Sequence, residues 1–472
     1  MHALVPRIHS HGTTVDSVYR AFGHRESAVK VRRLVGLIAL LSVGSPAVFA
    51  QTDPGVRPGA AGGGAPFATL TPNEREFFDD GLADFIEAEG VGDGLGPRFN
   101  LDNCGGCHSQ PDIGGTSPAV NPGVAIATAF GARNTLPSFM TPNGPFREAR
   151  FKRLPNGTPD GGVHGLFVIS GRNDETGSAS GCNIVQENFA AQQAANNVVF
   201  RIPTPVFGMG LLEEITDTTI LTNLAANAGG KAQLGISGRV NRNGNDGRIS
   251  RFGWKAQNQS PLLFSGEAYN VEMGISNELF QTERDETNEC QFATLPNDVT
   301  NVDGATPLES NSAIEKFAFF MRFLAPPTRS LTTPGGNASI AEGFNAFVNI
   351  GCAQCHTQVL RTGNATVVSL RNRDANLFSD LALHNMGPGL ADDVSQGVAA
   401  GDEFRTAPLW GVGQRIFFLH DGRTTSLLTA ITAHASNGNG TYGPSEANAV
   451  IASFNNLSPT AKQNMLNFLR SL

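Results

Sequence analysis

Two pentapeptides of the form C-x-x-C-H constrain this 472-residue chain more than any other feature. Cys104 to His108 reads CGGCH, and Cys352 to His356 reads CAQCH. Two thiols at this spacing can add to the two vinyl groups of one porphyrin, and the histidine that follows then lies under the iron. We therefore predict two covalently attached haem c groups, held by Cys104, Cys107, His108, Cys352, Cys355 and His356. His108 and His356 are the predicted iron ligands.

Three other uses of such motifs are zinc binding, a redox-active cysteine pair and disulfide formation. Zinc needs a fourth ligand at each site, and a redox-active pair does not need a histidine after both motifs. The two remaining cysteines, Cys182 and Cys290, form an even pair. In an oxidising compartment this pair favours a structural disulfide over a catalytic role.

The N-terminal residues resemble an export signal. An apolar run over residues 34–50 follows Lys30, Arg32 and Arg33 and ends in the small-residue pattern AVFA. This predicts a signal peptide over residues 1–50 and a periplasmic or secreted protein, with an uncleaved anchor as the alternative. We expect no membrane span in the mature chain.

Charge limits the classes of partner. The whole chain has a formal net charge of -8, and removal of the basic leader leaves about -12 by the same count of charged residues. An acidic body argues against nucleic-acid binding and favours a basic partner, such as a small electron-donor protein.

The sequence before each motif follows the same pattern. A capping box from Thr71 to Glu74 predicts a helix start, and Ser339 to Glu342 repeats it before the second motif. A Gly-x-x-x-Phe element recurs as Gly81 to Phe85 and as Gly343 to Phe347. Farther along, Phe200 through Gly210 parallels Phe404 through Gly413. Such self-similarity indicates two related domains.

The predicted fold is mainly α, with two cytochrome c-like haem domains in tandem. After a disordered lead-in over 51–66, the N-terminal domain covers 67–324, a proline-rich linker covers 325–336, and the C-terminal domain covers 337–472. The first domain is enlarged by a loop-rich insertion with some β structure, indicated by the apolar run at 163–170 and the Gly/Asn-rich stretch at 241–247.

Several further segments carry a resemblance to a known family. They are Gly94 to Asn100, Phe207 to Glu213, Arg251 to Ala256, Leu383 to Gly387, Phe404 to Gly411 and Leu419 to Arg423. With the two motifs, they make most of residues 70–472 resemble the bacterial di-haem oxidoreductases, relatives of the di-haem cytochrome c peroxidases and of MauG. The resemblance implies a reactive first haem and a second haem that relays electrons from a donor of the cytochrome c or cupredoxin type.

The resemblance also implies two catalytic positions. In such peroxidases an aromatic residue lies between the haems, and a distal carboxylate assists peroxide cleavage. Residues 254–274 resemble the stretch that holds both, so Trp254 is the expected bridge and Glu272 the expected acid/base. Glu272 could instead be a surface helix residue. Glu213 is the rival carboxylate, although it could cap a helix.

The distal iron ligands depart from the family pattern. Related peroxidases place a methionine fourteen residues after the histidine of a His-x-Gly element, but fourteen after His420 this chain has His434. His434 is therefore the expected ligand of the second haem, with Met386 as the alternative. Near the first motif no distal histidine is found, since Val124 occupies its usual position, and an open sixth site is expected.

The predicted function is an exported peroxidase-like oxidoreductase that reduces hydrogen peroxide at the first haem. One rival is a di-haem oxygenase that uses dioxygen, or a MauG-like oxidase of an organic or protein substrate. The other rival is a plain electron-transfer cytochrome. The resemblance also leaves open a calcium ion between the domains and a homodimer.

Overall fold

Helices form the framework of residues 51–472, which are the residues that the computed structural model describes. The predicted signal peptide lies outside them. The helices are α1 (Pro72–Ile86), α2 (Cys104–Cys107), α3 (Gly123–Ile126), α4 (Phe189–Ala194), α5 (Met209–Glu214), α6 (Asp217–Ala225), α7 (Ala228–Leu234), α8 (Pro261–Met273), α9 (Pro307–Ser310), α10 (Ala313–Phe323), α11 (Gly336–Asn349), α12 (Leu427–Thr432), α13 (Asn448–Asn455) and α14 (Pro459–Ser471).

Within the described part of the chain, the strands are short and form five separate small sheets. They are β1 (Arg98–Phe99), β2 (Glu148–Phe151), β3 (Val163–His164), β4 (Phe167–Val168), β5 (Val198–Arg201), β6 (Asn241–Arg242), β7 (Ile249–Ser250), β8 (Leu360–Arg361), β9 (Asp374–Ala375), β10 (Leu383–Asn385) and β11 (Glu403–Arg405). One sheet has three antiparallel strands in the order β3-β2-β5, and the others are two-stranded. A mainly α fold with some β structure, as the sequence predicts, is confirmed.

The capping box at Thr71 begins α1 as predicted. The Thr71 side chain accepts a hydrogen bond from the Glu74 N–H, and the Glu74 carboxylate accepts one from the Thr71 N–H. These bonds satisfy amides that have no partner in the first helical turn. Phe78 and Phe85 are buried on the face of α1 that packs against α10.

The second predicted capping box is wrong. α11 begins at Gly336, one turn before Ser339, because Gly335 adopts a left-handed conformation with φ of 79° and starts the helix there. The Ser339 hydroxyl instead donates to Asn464 Oδ1 at 2.7 Å and accepts from Asn467. The Ser339 side chain, which the sequence pattern predicts as a helix cap, therefore forms hydrogen bonds to α14 instead.

The two halves of the chain repeat one packing arrangement. On α1, a Cβ at Gly81 would lie 2.2 Å from the Lys316 carbonyl oxygen of α10, and on α11 a Cβ at Gly343 would lie 2.0 Å from that of Asn464 in α14. Each glycine therefore permits two helix backbones to cross closely. Gly210 and Gly413 make the matching contact, each with its Cβ position 2.1 Å from a carbonyl oxygen near the end of α10 or α14. The self-similarity in the sequence thus corresponds to a repeat in three dimensions.

The insertion contains the strands that the sequence indicates. The apolar run at 163–170 contains β3 and β4, and the Gly/Asn-rich stretch at 241–247 forms β6 and most of the turn before β7. The predicted disulfide between Cys182 and Cys290 is present. It ties the insertion to the loop that follows α8.

Residues 51–66 differ from the predicted disordered lead-in. Asp53 forms an ion pair with the buried Arg470 of α14, with Nε to Oδ1 at 2.7 Å. Arg57 donates to Gln414 Oε1 and to the Thr328 carbonyl. Composition alone predicts a flexible segment, but partners distant in the sequence hold it in place. None of the helices in residues 51–472 is long and apolar enough to cross a membrane.

Candidate functional site

The first motif opens on a cavity of about 1060 Å³, here called the first cavity. Cys104–Cys107 forms the single turn α2, capped by Asn103, whose Oδ1 accepts from the Gly106 N–H at 2.6 Å. Cys104, Cys107 and His108 all line the cavity. The short helix thus presents the two thiols and the imidazole to one space.

His108 is held as a neutral imidazole. Its Nδ1 lies 3.0 Å from the Gly115 carbonyl oxygen, and because a carbonyl only accepts, Nδ1 carries the proton. Burial lowers the pKa of His108 to about 4. The lone pair on Nε2 is therefore available to a metal, with the ring orientation fixed by the carbonyl.

The second motif repeats this geometry at a cavity of about 1420 Å³, the second cavity. His356 Nδ1 donates to the Phe378 carbonyl oxygen at 2.9 Å, and burial lowers its pKa to about 4. The ring of Phe347 lies 6.1 Å from His356, just as that of Phe85 lies 6.0 Å from His108. Cys352 and Cys355 line the second cavity beside His356.

All four motif cysteines are free thiols. Burial raises the pKa of Cys104 and of Cys352 to about 12. A reactive cysteine pair needs the opposite shift, since the thiolate is the nucleophile. The buried thiols therefore argue against a redox-active pair.

Glu272, near the end of α8, lies in the wall of the first cavity as the resemblance implies, and it meets a second carboxyl group. Its side chain hydrogen-bonds Glu148 of β2. Asn100 Nδ2 also donates to Glu272 Oε2 at 2.5 Å. Burial and the neighbouring Glu148 charge raise the pKa of Glu272 well above its ordinary range.

Glu148 has the opposite shift. Although burial opposes it, the charges of Arg150 and Arg201 and the hydrogen bond with Glu272 lower the pKa of Glu148. Arg150 Nε lies 2.5 Å from Glu148 Oε1, and the β2–β5 register places Arg201 opposite Glu148. The pair therefore holds one proton, on Glu272.

Trp254 lines both cavities. It is 9% exposed, and its Nε1 donates to the Ile202 carbonyl oxygen at 2.9 Å. Its ring is 6.3 Å from that of His420, which stacks on Phe404 at 4.3 Å. Trp254 therefore lies where the two cavities adjoin, and its role as the aromatic bridge stays a prediction.

His434 and Met386 both line the second cavity. His434 Nδ1 donates to the Ala430 carbonyl oxygen at 2.8 Å, which leaves Nε2 free, and burial lowers the pKa of His434.

Two other histidines line the second cavity. His384 has no nitrogen free to bind a metal, because Asp380 and Glu446 bind its two nitrogens at 2.9 and 2.7 Å. His420 makes no side-chain hydrogen bond to the described residues and is a further candidate in this wall.

The rival carboxylate lies elsewhere, as does His164 of the insertion. Glu213 forms a two-bond ion pair with Arg322, at 2.7 and 3.1 Å, and lines neither cavity. His164 stacks on Phe151 and bonds Asp160, also outside both cavities. In the first cavity the one lining histidine among the described residues is His108, while Met273 and Met321 supply sulfur atoms to the wall.

Sequence reasoning missed Glu148, Arg150, Arg405 and Arg415 as residues of the cavity walls. The repeat that aligns Phe200-Arg201 with Phe404-Arg405 was a signal for one arginine in each half. Glu148 had no signal of its own, since only the tertiary fold brings β2 to the end of α8.

The two cavities fit haem. Each brings together two thiols and a neutral imidazole with a free Nε2, and apolar side chains form most of the rest of its wall. Calcium has less support: among residues 51–472 the metal-type side-chain group is Cys355, Asp380 and His384, which is not the oxygen-rich set that calcium prefers.

Two such cavities, separated by a tryptophan, define a redox protein with two cofactor centres. A family model described as "Di-haem oxidoreductase, putative peroxidase" matches residues 157–472. The chain belongs to this di-haem oxidoreductase family.

Other comparisons add context. A search of curated proteins gave no match. Among solved structures, the chain is similar at 16% identity to a MauG-like protein associated with microbial copper homeostasis, with a TM-score of 0.27 over 50% of this chain and 78% of the other. Hydrazine synthase of Kuenenia stuttgartiensis is also 16% identical, with a TM-score of 0.22 over 35% of this chain. The match spans 56% of that hydrazine synthase chain.

Proposed function

We propose that this protein is an exported di-haem c-type oxidoreductase that reduces hydrogen peroxide in the first cavity. Electrons would come from a small donor protein by way of haem in the second cavity. The observation that carries this proposal is the hydrogen-bonded pair Glu148 and Glu272, buried in the same cavity as the free imidazole of His108.

The two carboxyl groups differ in the way that acid–base catalysis needs. Environments that push two pKa values apart assign one group as the acid and the other as the base. Glu272 holds its proton and can donate it to the oxygen that leaves, while Glu148 stays ionised beside Arg150 and can accept the peroxide proton. Overall, hydrogen peroxide takes up two electrons and two protons and yields two water molecules.

Haem supplies the redox-active iron at each site, and the chain's residues orient and connect the sites. His108 and His356 would hold the iron at the two motifs, and His434 would supply a further ligand in the second cavity. Trp254 is the proposed electron path, because its ring lies in both walls. The repeated helix packing supports the proposal of two domains, each with one haem, and the Cys182–Cys290 disulfide supports an oxidising compartment.

The test uses the full chain purified from an expression host that attaches haem c. Mass measurement and a pyridine haemochrome assay count the haems, with two expected. The half-reduced protein is then mixed with peroxide in a stopped-flow spectrophotometer, and turnover with a reduced donor is followed. Two low-spin, six-coordinate haems that do not react with peroxide after half-reduction would overturn the proposal in favour of an electron carrier. Stable dioxygen binding without peroxide turnover would overturn it in favour of an oxygenase.

A further inference from the structure

Two buried arginines lie in the wall of the second cavity without a carboxylate partner. Arg405 in β11 and Arg415 after the helical turn Val412–Gln414 are each 7% exposed and line this cavity. Both also line a small cavity whose wall includes Trp254.

The contacts of these side chains leave most of their N–H groups unused. Arg405 Nε donates to the Gly253 carbonyl oxygen at 3.0 Å, and its Nη1 is buried with no hydrogen-bond partner. The guanidinium of Arg415 makes no hydrogen bond or ion pair with any residue in 51–472. Burial lowers the pKa of each to about 10, and for Arg405 the nearby Arg415 charge adds to this. Both remain cations at neutral pH.

Asp380 interacts electrostatically with Arg405, but both of its carboxylate oxygens already accept hydrogen bonds from other groups. Asp380 Oδ2 lies 2.9 Å from His384 Nε2, and Oδ1 accepts from the Ala382 N–H at 3.0 Å. Glu446, also on the second cavity, bonds His384 as well. No described side chain therefore neutralises the arginine pair by direct contact.

Other fully buried arginines of this protein have such partners. Arg172 bonds Asp102 and Asp174, and Arg470 bonds Asp53. Arg201, which the repeat aligns with Arg405, bonds Asp392 at 2.6 and 3.0 Å. An unpaired buried charge costs several kcal/mol, so such charges are ordinarily paired. The second cavity is thus built for an anion that the protein chain does not supply.

We propose that Arg405 and Arg415 form a carboxylate-binding site, whose ligand is the propionate edge of the haem attached at Cys352 and Cys355. This inference rests on the proposed haem attachment. Guanidinium N–H groups match carboxylate oxygens in geometry. The charge-assisted hydrogen bonds between the two groups are stronger in a low-dielectric site. Two cations near the second haem would also favour its reduced state and so counteract the lower potential expected with His434 as ligand. The first cavity differs, because Asp392 already pairs Arg201.

The test measures reduction potentials of both haems by spectroelectrochemistry in R405Q, R415Q and the double variant. Loss of positive charge favours the oxidised iron, so we expect the potential of the second haem to fall. In the double variant the reduced-to-oxidised ratio should change at least tenfold at fixed potential, which corresponds to about 59 mV for one electron. The first haem should be unaffected. R405K and R415K keep the charge and should retain much of the wild-type potential, and they serve if the glutamine variants fold poorly.

A control variant and an anion titration complete the test. They distinguish a haem propionate from a free anion, and failure of the arginine site from failure of the proposed function. R361Q, at an exposed arginine paired with Asp374, is the charge-matched control and should leave both potentials unchanged. A wild-type second-haem potential that follows chloride or formate concentration would overturn the propionate assignment in favour of a free anion. An unchanged potential in a double variant with two haems attached would overturn the arginine site alone. A chain without haem at the second motif would instead overturn the proposed function on which this inference rests.

Discussion

The carboxyl groups of Glu148 and Glu272 hydrogen-bond one another in the wall of the cavity that holds His108. Glu148 comes from a short strand and Glu272 from the end of α8. Arginine charges keep the first ionised, while burial and the first carboxylate keep the second protonated. One proton is therefore stored beside the proposed peroxide site.

E272Q should lower peroxide turnover, because an amide cannot donate a proton to the leaving oxygen. General acid–base groups contribute about 10² to 10⁴ in rate, and we expect a loss in this range in steady-state peroxide assays, with both haems still attached. E148Q should also lower turnover, since it removes the proposed base. E213Q is the matched control, because Glu213 bonds Arg322 outside both cavities. A loss with E213Q and none with E272Q would reverse the assignment.

The pH profile of turnover should have an alkaline limb that belongs to Glu272. Its pKa is raised, so it stays protonated above its ordinary value of 4.5 and loses the proton as pH rises through the raised pKa. The folded state binds this proton more tightly than the unfolded state, so its contribution to stability is lost over the same rise in pH. E272Q should flatten both the alkaline limb and the fall in Tm. A wild-type limb unchanged in E272Q would assign it to another group.

W254F should slow electron transfer from the second haem to the first. The phenylalanine ring is smaller than the indole and so covers less of the distance between the cavities. The substitution also removes the hydrogen bond to the Ile202 carbonyl, which contributes about 0.5 to 1.5 kcal/mol to stability. Rapid-mixing absorbance measurements on half-reduced protein would follow the transfer. W410F is the control, because Trp410 is buried to a similar degree yet lines neither haem cavity. Equal transfer rates in W254F and wild type would exclude Trp254 as the path.

H434A should remove one low-spin signal from the EPR spectrum. His434 lines the second cavity, and its Nδ1 donates to the Ala430 carbonyl, which leaves Nε2 available to a metal. M386A should leave that signal in place. The opposite pattern would make Met386 the ligand, and loss of the signal in neither variant would direct attention to His420.

G81A and G343A should each destabilise the fold. The added methyl group would lie 2.2 or 2.0 Å from a backbone carbonyl oxygen of the crossing helix, so the helices must separate. Overpacking of this kind costs about 1 to 3 kcal/mol, which thermal unfolding would detect. G229A is the control, since nothing lies within 4 Å of its Cβ position in α7. In a helix, that change should be neutral or stabilising.

Sequence alone determined the features that depend on local spacing. Each C-x-x-C-H motif, the cap of α1 and each Gly-x-x-x-Phe element is contained within a few consecutive residues. Chemistry within a pentapeptide or a helical turn depends little on the rest of the chain. The repeat of such units can therefore be recognised from the order of the residues.

Only the tertiary structure decided which distant residues meet. It paired Glu148 with Glu272, placed Trp254 in both cavities, moved the start of α11 and ordered residues 51–66 through Asp53 and Arg470. It also left Arg405 and Arg415 unpaired in the second cavity while giving Arg201 a carboxylate. Such contacts depend on burial and on charges from elements that are distant in the sequence. A short sequence pattern therefore cannot predict them.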